Sequence, residues 1–257
     1  MDKIKVSGCI VTYNAKGKVD ATIESLLNMT KGVDFTLYIV DNASSDGTAE
    51  HIQEKYPEVI VIANDKNVGF GAGHNKVLSV IDSDYHVVIN PDIILKEDVI
   101  TTLTQFAEGD IRIGLASPEV RFEDGTLQML AKRNPTVRYL GNHWLHKAKN
   151  TPNKLMTEYC MLDMPEGEAF EITNATGCFM FFRTSVFKKL GGFDERFFMY
   201  LEDCDITRRV SKVSKVMFCP EAVVYHLWER ESKRNPKLFM IHVHSIIKYF
   251  LKWGIEF

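Results

Sequence analysis

The feature that most constrains this chain is an alternation across its first ninety residues. Four short apolar runs, at 6–13, 35–40, 59–63 and 85–89, read as strands. Between and after them lie helical patterns: 19–29 with Ile23, Leu26 and Leu27 on one face, a helix from near Ala49, one running through Ile81, and one over 95–106. Strands alternating with helices build a parallel, doubly wound sheet. Ligands of such sheets bind beyond the carboxyl ends of the strands. Here all four strands end in polar or glycine-rich residues, which suits a nucleotide.

Composition narrows the class. The chain has 257 residues, 45% of them apolar and 25% charged, with a net charge of -3. That is enough for one well-filled α/β domain or two small ones. A nucleic-acid binder would show a basic surplus, and this chain does not. Cys9, Cys160, Cys178, Cys204 and Cys219 are odd in number and scattered, with no zinc spacing, so a reducing compartment is expected. The N-terminus enters a strand at once, without a signal peptide, and no apolar run approaches membrane-spanning length. The expected location is cytoplasmic, at most peripheral on the inner face of the cell membrane.

Three motifs carry chemistry. Gly69-Phe70-Gly71-Ala72-Gly73 is not a dinucleotide fingerprint: His74 stands where the last glycine is needed, and the loop follows the third strand. What its glycines offer is close backbone approach, either to a substrate or within a tight turn. Asn90-Pro91-Asp92 puts a carboxylate at a strand tip. It can cap the helix that follows, or share a hard divalent cation with phosphate oxygens.

The third motif is Glu202-Asp203-Cys204-Asp205, directly behind the aromatic run Phe197-Phe198-Met199-Tyr200. On a helix, Glu202, Asp205 and Arg209 share a face while Asp203 points elsewhere. Arg209 can then neutralise Asp205, and Glu202 as a second partner, leaving Asp203 as the carboxylate without a local partner. Such a group beside an aromatic cleft is a candidate general base. The plain alternative is a first helical turn enriched in acids by the helix dipole.

The order of the motifs adds a resemblance. Val11-Thr12-Tyr13-Asn14, Val40-Asp41 through Thr48, Asn67-Val68-Gly69, Asn90-Pro91-Asp92, Gly191-Gly192-Phe193-Asp194-Glu195 and Glu202-Asp203-Cys204-Asp205 follow one another over about the first 230 residues. Together they resemble the inverting, nucleotide-sugar-dependent family 2 glycosyltransferases of the GT-A fold, and most closely the bacterial rhamnosyltransferases of cell-surface polysaccharide synthesis. The fold implied is a Rossmann-like, mostly parallel sheet flanked by helices. Its nucleotide half is 1–110, its acceptor half 111–229, and 230–257 is a helical tail.

The same resemblance implies roles. Thr12, Tyr13, Asn14 and Asp41 would hold base and ribose, while Asn67, Gly69 and Asn75 would border nucleotide and sugar. Asn90 would lie at the diphosphate, Asp92 and His226 would bind the cation, magnesium or manganese, and Asp203 would be the base with Glu202 beside it. Asn90 replaces the first acid of Asp-X-Asp, so one carboxylate remains for the metal. The implied reaction moves rhamnose from dTDP-rhamnose to a hydroxyl of a lipid-linked saccharide. A UDP-hexose donor is the near alternative, and a nucleotidyltransferase or a non-catalytic nucleotide-sugar binder the distant ones.

Two further segments stand apart. Residues 132–170 break the alternation with Pro135, Pro152 and Pro165, as expected of a long irregular excursion on the acceptor side, and strand resumes over 171–182. In the tail, Arg230, Lys233, Arg234, Lys237, Lys248 and Lys252 interleave with aliphatic and aromatic residues. That pattern reads as a basic amphipathic helix, lying on anionic membrane or docked on the domain.

Overall fold

The computed structural model describes residues 3–145, 153–227 and 236–256. In chain order the strands are β1 (Lys5–Thr12), β2 (Asp34–Asp41), β3 (Ile60–Ala63), β4 (Tyr85–Ile89), β5 (Ile93–Ile94), β6 (Ile113–Arg121), β7 (Phe170–Glu171), β8 (Phe179–Arg183) and β9 (Lys215–His226). The helices are α1 (Asp20–Met29), α2 (Thr48–Lys55), α3 (Phe70–His74), α4 (Val99–Gly109), α5 (Val137–Leu145), α6 (Lys154–Tyr159), α7 (Thr184–Lys189), α8 (Glu202–Val210) and α9 (Pro236–Trp253). All the strands join one sheet, in the order β3-β2-β1-β4-β8-β6-β9-β5, with β7 on β9.

The first half is the expected parallel sheet, with β1 between β2 and β4 and β3 outside β2. Strands β1, β2 and β4 are largely buried on both faces, and their period-two alternation divides the core. Ile10, Val87, Ile89, Phe179 and Phe181 pack with α1 and α4 on one face. Cys9, Val88, Met180 and Phe182 pack with Phe187, Ile206 and Val210 on the other. The second half is mixed rather than parallel. Strand β8 runs antiparallel to both β4 and β6, while β9 runs parallel to β6.

Proline shapes the far edge. The β6–β9 register jumps from Pro118↔Cys219 to Glu119↔Val223, which leaves residues 220–222 unpaired on β9. Pro118 and Pro220 flank the jump, and neither can donate to the ladder. A bulge bends its strand. Beyond it, β9 pairs with β5 through His226↔Ile93 and Tyr225↔Ile94, so its last residue arrives beside Asp92.

Several local expectations shift. The helix after Asn90-Pro91-Asp92 starts at Val99, because Asp98 caps it by accepting from the Thr101 N–H at 3.1 Å. The helix through Ile81 is only α3 followed by a 3-10 turn at Asn75–Val77. The strand over 171–182 divides into β7 and β8 around a loop, and that loop meets α8: the Ala175 N–H donates to Thr207 Oγ1 at 3.3 Å.

Helix α9 docks on α8. Ser245 and Tyr249 are buried, and Ser245 donates to the Met199 carbonyl at 2.8 Å. Lys252 reaches Asp194 and the fully buried Asp205, each at 2.6 Å, and the Trp253 indole N–H donates to Asp205 at 2.9 Å. Lys248 donates to the Arg196 carbonyl. Two of the tail's lysines therefore turn inward. Arg230, Lys233 and Arg234 lie outside the described residues. The outward side carries Met240, Ile247 and Leu251, all exposed. Among the described residues no helix is long and apolar enough to cross a membrane.

Candidate active site

The carboxyl ends of the strands carry three linked groups of polar residues. The first lies beyond β1 and β2. Asp41 is almost wholly buried and accepts from Thr12 Oγ1 at 3.0 Å, from the Ser44 N–H at 2.8 Å and from Ser44 Oγ at 2.5 Å. Asn14 joins through its own N–H to Ser44 Oγ (2.8 Å), and its Oδ1 accepts from the Ser45 N–H (2.9 Å). Tyr13, beside them, is 56% exposed. Thr12, Asn14 and Asp41 thus form one network beyond the ends of β1 and β2, with an exposed aromatic side chain next to it.

The second group ties the glycine loop to the segment ahead of α8. Asn42 donates to the Gly69 carbonyl at 3.1 Å, and Asn67 Oδ1 accepts from the Gly69 N–H at 2.9 Å. The Phe70 N–H then donates to the Phe198 carbonyl at 2.9 Å. Gly69 has φ +92, and a Cβ there would lie 2.1 Å from the Phe198 oxygen. Tyr200 (φ 70) and Leu201 (φ 64) hold left-handed conformations just before α8. Non-glycine residues seldom adopt these, and the surrounding packing must impose them. Asn75 sits apart from this contact. Its amide donates to the Phe193 carbonyl at 2.9 Å and to Glu195 at 3.1 Å, while its Oδ1 accepts from the Phe193 N–H at 2.8 Å.

The third group is where β4 and β9 end and β8 begins. The Asn90 N–H donates to the Cys178 carbonyl at 2.9 Å, and one residue earlier the Gly177 N–H donates to Asp203 Oδ2 at 3.0 Å. The Cys204 N–H donates to Asp203 Oδ1 at 2.8 Å. Among the described residues no lysine or arginine is recorded within ion-pair distance of Asp203. His226 is buried, with Nε2 3.2 Å from Asp92 Oδ1 and 3.5 Å from the Asn90 amide. Burial first, then the Asp92 and Asp203 charges, push Cys178 up to about 12.

The acids on α8 divide as helical spacing requires. Arg209 pairs with Asp205 at 2.8 Å and spends its other donors on the Leu190 and Gly192 carbonyls. Glu202 is buried, and its Oε2 has no hydrogen-bond partner. Desolvation, then the neighbouring Asp203 charge, hold its carboxyl well above the usual range.

Asp92 is free for a ligand, since Asp98 does the capping. No group of three or more His, Cys, Asp or Glu side chains gathers into a metal site among the described residues. One carboxylate oxygen and one imidazole nitrogen still converge, and that donor set suits a divalent cation whose remaining positions are filled by phosphate oxygens. The sequence pattern missed two residues here. Gln128, on the segment after β6, contacts His226. Lys132, bridged to Asn174, acts on the Cys178 and Cys204 thiols with the opposite sign to Asp203. Neither lies in a motif.

Known proteins resemble this chain in sequence and fold. The chain is 27% identical over 253 residues to an N-acetylglucosaminyl-diphospho-decaprenol L-rhamnosyltransferase of Mycobacterium tuberculosis, covering 94% of this chain and 82% of that protein. It is 24% identical over 197 residues to rhamnosyltransferase WbbL of Escherichia coli, with 71% of each covered. Its fold matches the mannosyltransferase PcManGT of Pyrobaculum calidifontis, solved with GDP-Man and Mn2+, at a TM-score of 0.63 and 15% identity over 97% of this chain and 70% of that one. The model for "Glycosyl transferase family 2" matches residues 7–191, and the chain belongs to that family of glycosyltransferases.

Proposed function

We propose that this enzyme transfers a deoxyhexose, rhamnose from dTDP-rhamnose, to a hydroxyl of a lipid-linked saccharide in cell-surface polysaccharide synthesis, with inversion. The observation that carries the reading is the position of Asp203. It is held by two backbone N–H groups and reaches, through Gly177 and Cys178, the strand ends that bear Asn90, Asp92 and His226. The rhamnosyltransferase relatives support the sugar and the lipid-linked acceptor.

In this reading residues 1–110 bind the nucleotide. Thr12, Asn14 and Asp41 meet the ribose and base, with Tyr13 offering its ring. Asn67, Gly69 and Asn75 border nucleotide and sugar, Asn75 through the 193–195 turn it holds. Each Asp203 oxygen accepts one backbone hydrogen bond and keeps capacity for a second. One of them takes the acceptor's hydroxyl proton while that oxygen bonds to the anomeric carbon and the bond to the diphosphate breaks on the opposite side. Burial, then the neighbouring Asp203 charge, hold the Glu202 carboxyl well above the usual range. Asn90 lies at the diphosphate, and Asp92 and His226 would hold a magnesium or manganese ion. Bound there, the ion would offset charge on the leaving diphosphate.

The lipid-linked acceptor places the work at the inner face of the cell membrane, and the exposed Met240, Ile247 and Leu251 of α9 give the tail a surface that suits it.

A thermal-shift panel of UDP-, GDP- and dTDP-sugars tests the donor, because selective binding stabilises the native state. Stabilisation by dTDP-rhamnose above the others is expected. Selective stabilisation by a UDP-hexose would replace the donor and leave the family assignment untouched.

A further inference from the structure

The site depends on how His226 is presented, and the structure assigns that task to a residue outside every motif. Gln128 is buried, with its backbone N–H on the Val120 carbonyl at 2.8 Å. One end of its amide lies 2.7 Å from the His226 carbonyl oxygen and 3.4 Å from that of Arg121. Both neighbours only accept, so this end must be the NH2. The other end is therefore the oxygen, and it lies 3.1 Å from His226 Nδ1. An amide oxygen cannot donate, so the ring proton must sit on Nδ1. In the neutral ring Nε2 is then the unprotonated nitrogen. The Asn90 amide, 3.5 Å away, approaches Nε2 as a donor would. Asp92 Oδ1, at 3.2 Å, presents a second lone pair. Two lone pairs this close repel each other unless a cation or an extra ring proton lies between them.

We propose that Gln128 is a positioning residue: it fixes the Nδ1–H tautomer of His226, so that Nε2 and Asp92 Oδ1 face a single divalent cation together. This rests on the reading of Asp92 and His226 as the cation's protein ligands. Outer-shell partners of ligating histidines generally set the tautomer and ring orientation in this way. A merely structural Gln128 would tie down the end of β9 through the His226 carbonyl and have no bearing on the ring.

Two variants separate these roles. Gln128→Glu keeps an acceptor for Nδ1–H but gives up donation to the carbonyls, whereas Gln128→Leu loses both. Long-range proton–nitrogen spectra of nitrogen-15 histidine-labelled, chelator-treated full-length protein at alkaline pH would report the tautomer. A His226→Gln control identifies this ring among the eight histidines. The Nδ1–H form is expected in wild type and in Gln128→Glu, and a mixture in Gln128→Leu. Mn2+ titration followed by electron paramagnetic resonance, with dTDP or UDP present, should show about 10- to 100-fold weaker binding in Gln128→Leu and near wild-type binding in Gln128→Glu.

An Nε2–H ring in wild type overturns the proposal, as does a folded Gln128→Leu variant that binds Mn2+ like wild type. If that variant does not fold, the wild-type spectrum and Gln128→Glu decide the matter. Wild type that binds no Mn2+, matched by Asp92→Ala, would sink the cation reading itself. The spectrum would then still show whether Gln128 holds the ring.

Discussion

The carbonyl oxygen of Phe198 fills the space a side chain on Gly69 would need, 2.1 Å from where its Cβ would stand. This contact joins the glycine loop of the N-terminal half to the turn that launches α8. Gly69→Ala would add left-handed strain to a collision with backbone, and neither can be relieved by a rotamer change. A loss of about 1–3 kcal/mol is expected, with kcat/KM falling further because the turn carries Asp203. Urea unfolding and steady-state kinetics check both. Wild-type stability together with wild-type activity would show that the contact gives way freely.

Asp203→Asn preserves the shape of the side chain and removes the proton acceptor. Turnover should fall by roughly 10²–10⁴-fold with donor affinity little changed. Near-normal turnover would move the base to Glu202 or Asp205.

Glu202 makes stability depend on pH in a stated direction. Its folded-state carboxyl titrates above the unfolded one, so the native chain retains a proton that the unfolded chain releases. The contribution is most favourable below the ordinary carboxyl value, about 4.3, and declines as pH rises from there toward the folded value, by up to about 1.4 kcal/mol per pH unit. Glu202→Gln should remove that decline, so the variant gains on wild type as pH rises. Parallel stability curves for the two proteins across that window would refute a buried, protonated Glu202.

The tail makes a separable prediction. Wild type should sediment with anionic vesicles and weaken as salt rises, each basic residue near the surface contributing about 1 kcal/mol. Changing Met240, Ile247 and Leu251 together to Ser should abolish sedimentation and leave the melting temperature unchanged, because all three face outward. Equal sedimentation of variant and wild type would withdraw the membrane surface and leave the transferase standing.

The fold of the N-terminal half was legible in the sequence because its information is local. Apolar runs bury both faces of β1, β2 and β4, and turn residues end them, so Thr12, Asp41 and Asn90 fall at the sheet's carboxyl edge without knowledge of distant contacts. Helical spacing likewise predicted that Arg209 would pair with Asp205 and leave Asp203 unpaired. What the tertiary structure alone decided depends on long-range register. The jump at Pro118 and Pro220 delivers His226 to Asp92, 134 positions away in the chain, and Gln128 meets His226 across 98. The inward turn of Lys248 and Lys252 is of the same kind. A helix pattern shows that lysines and apolar residues alternate, but the buried carboxylate of Asp205 and the Arg196 carbonyl choose which face is covered.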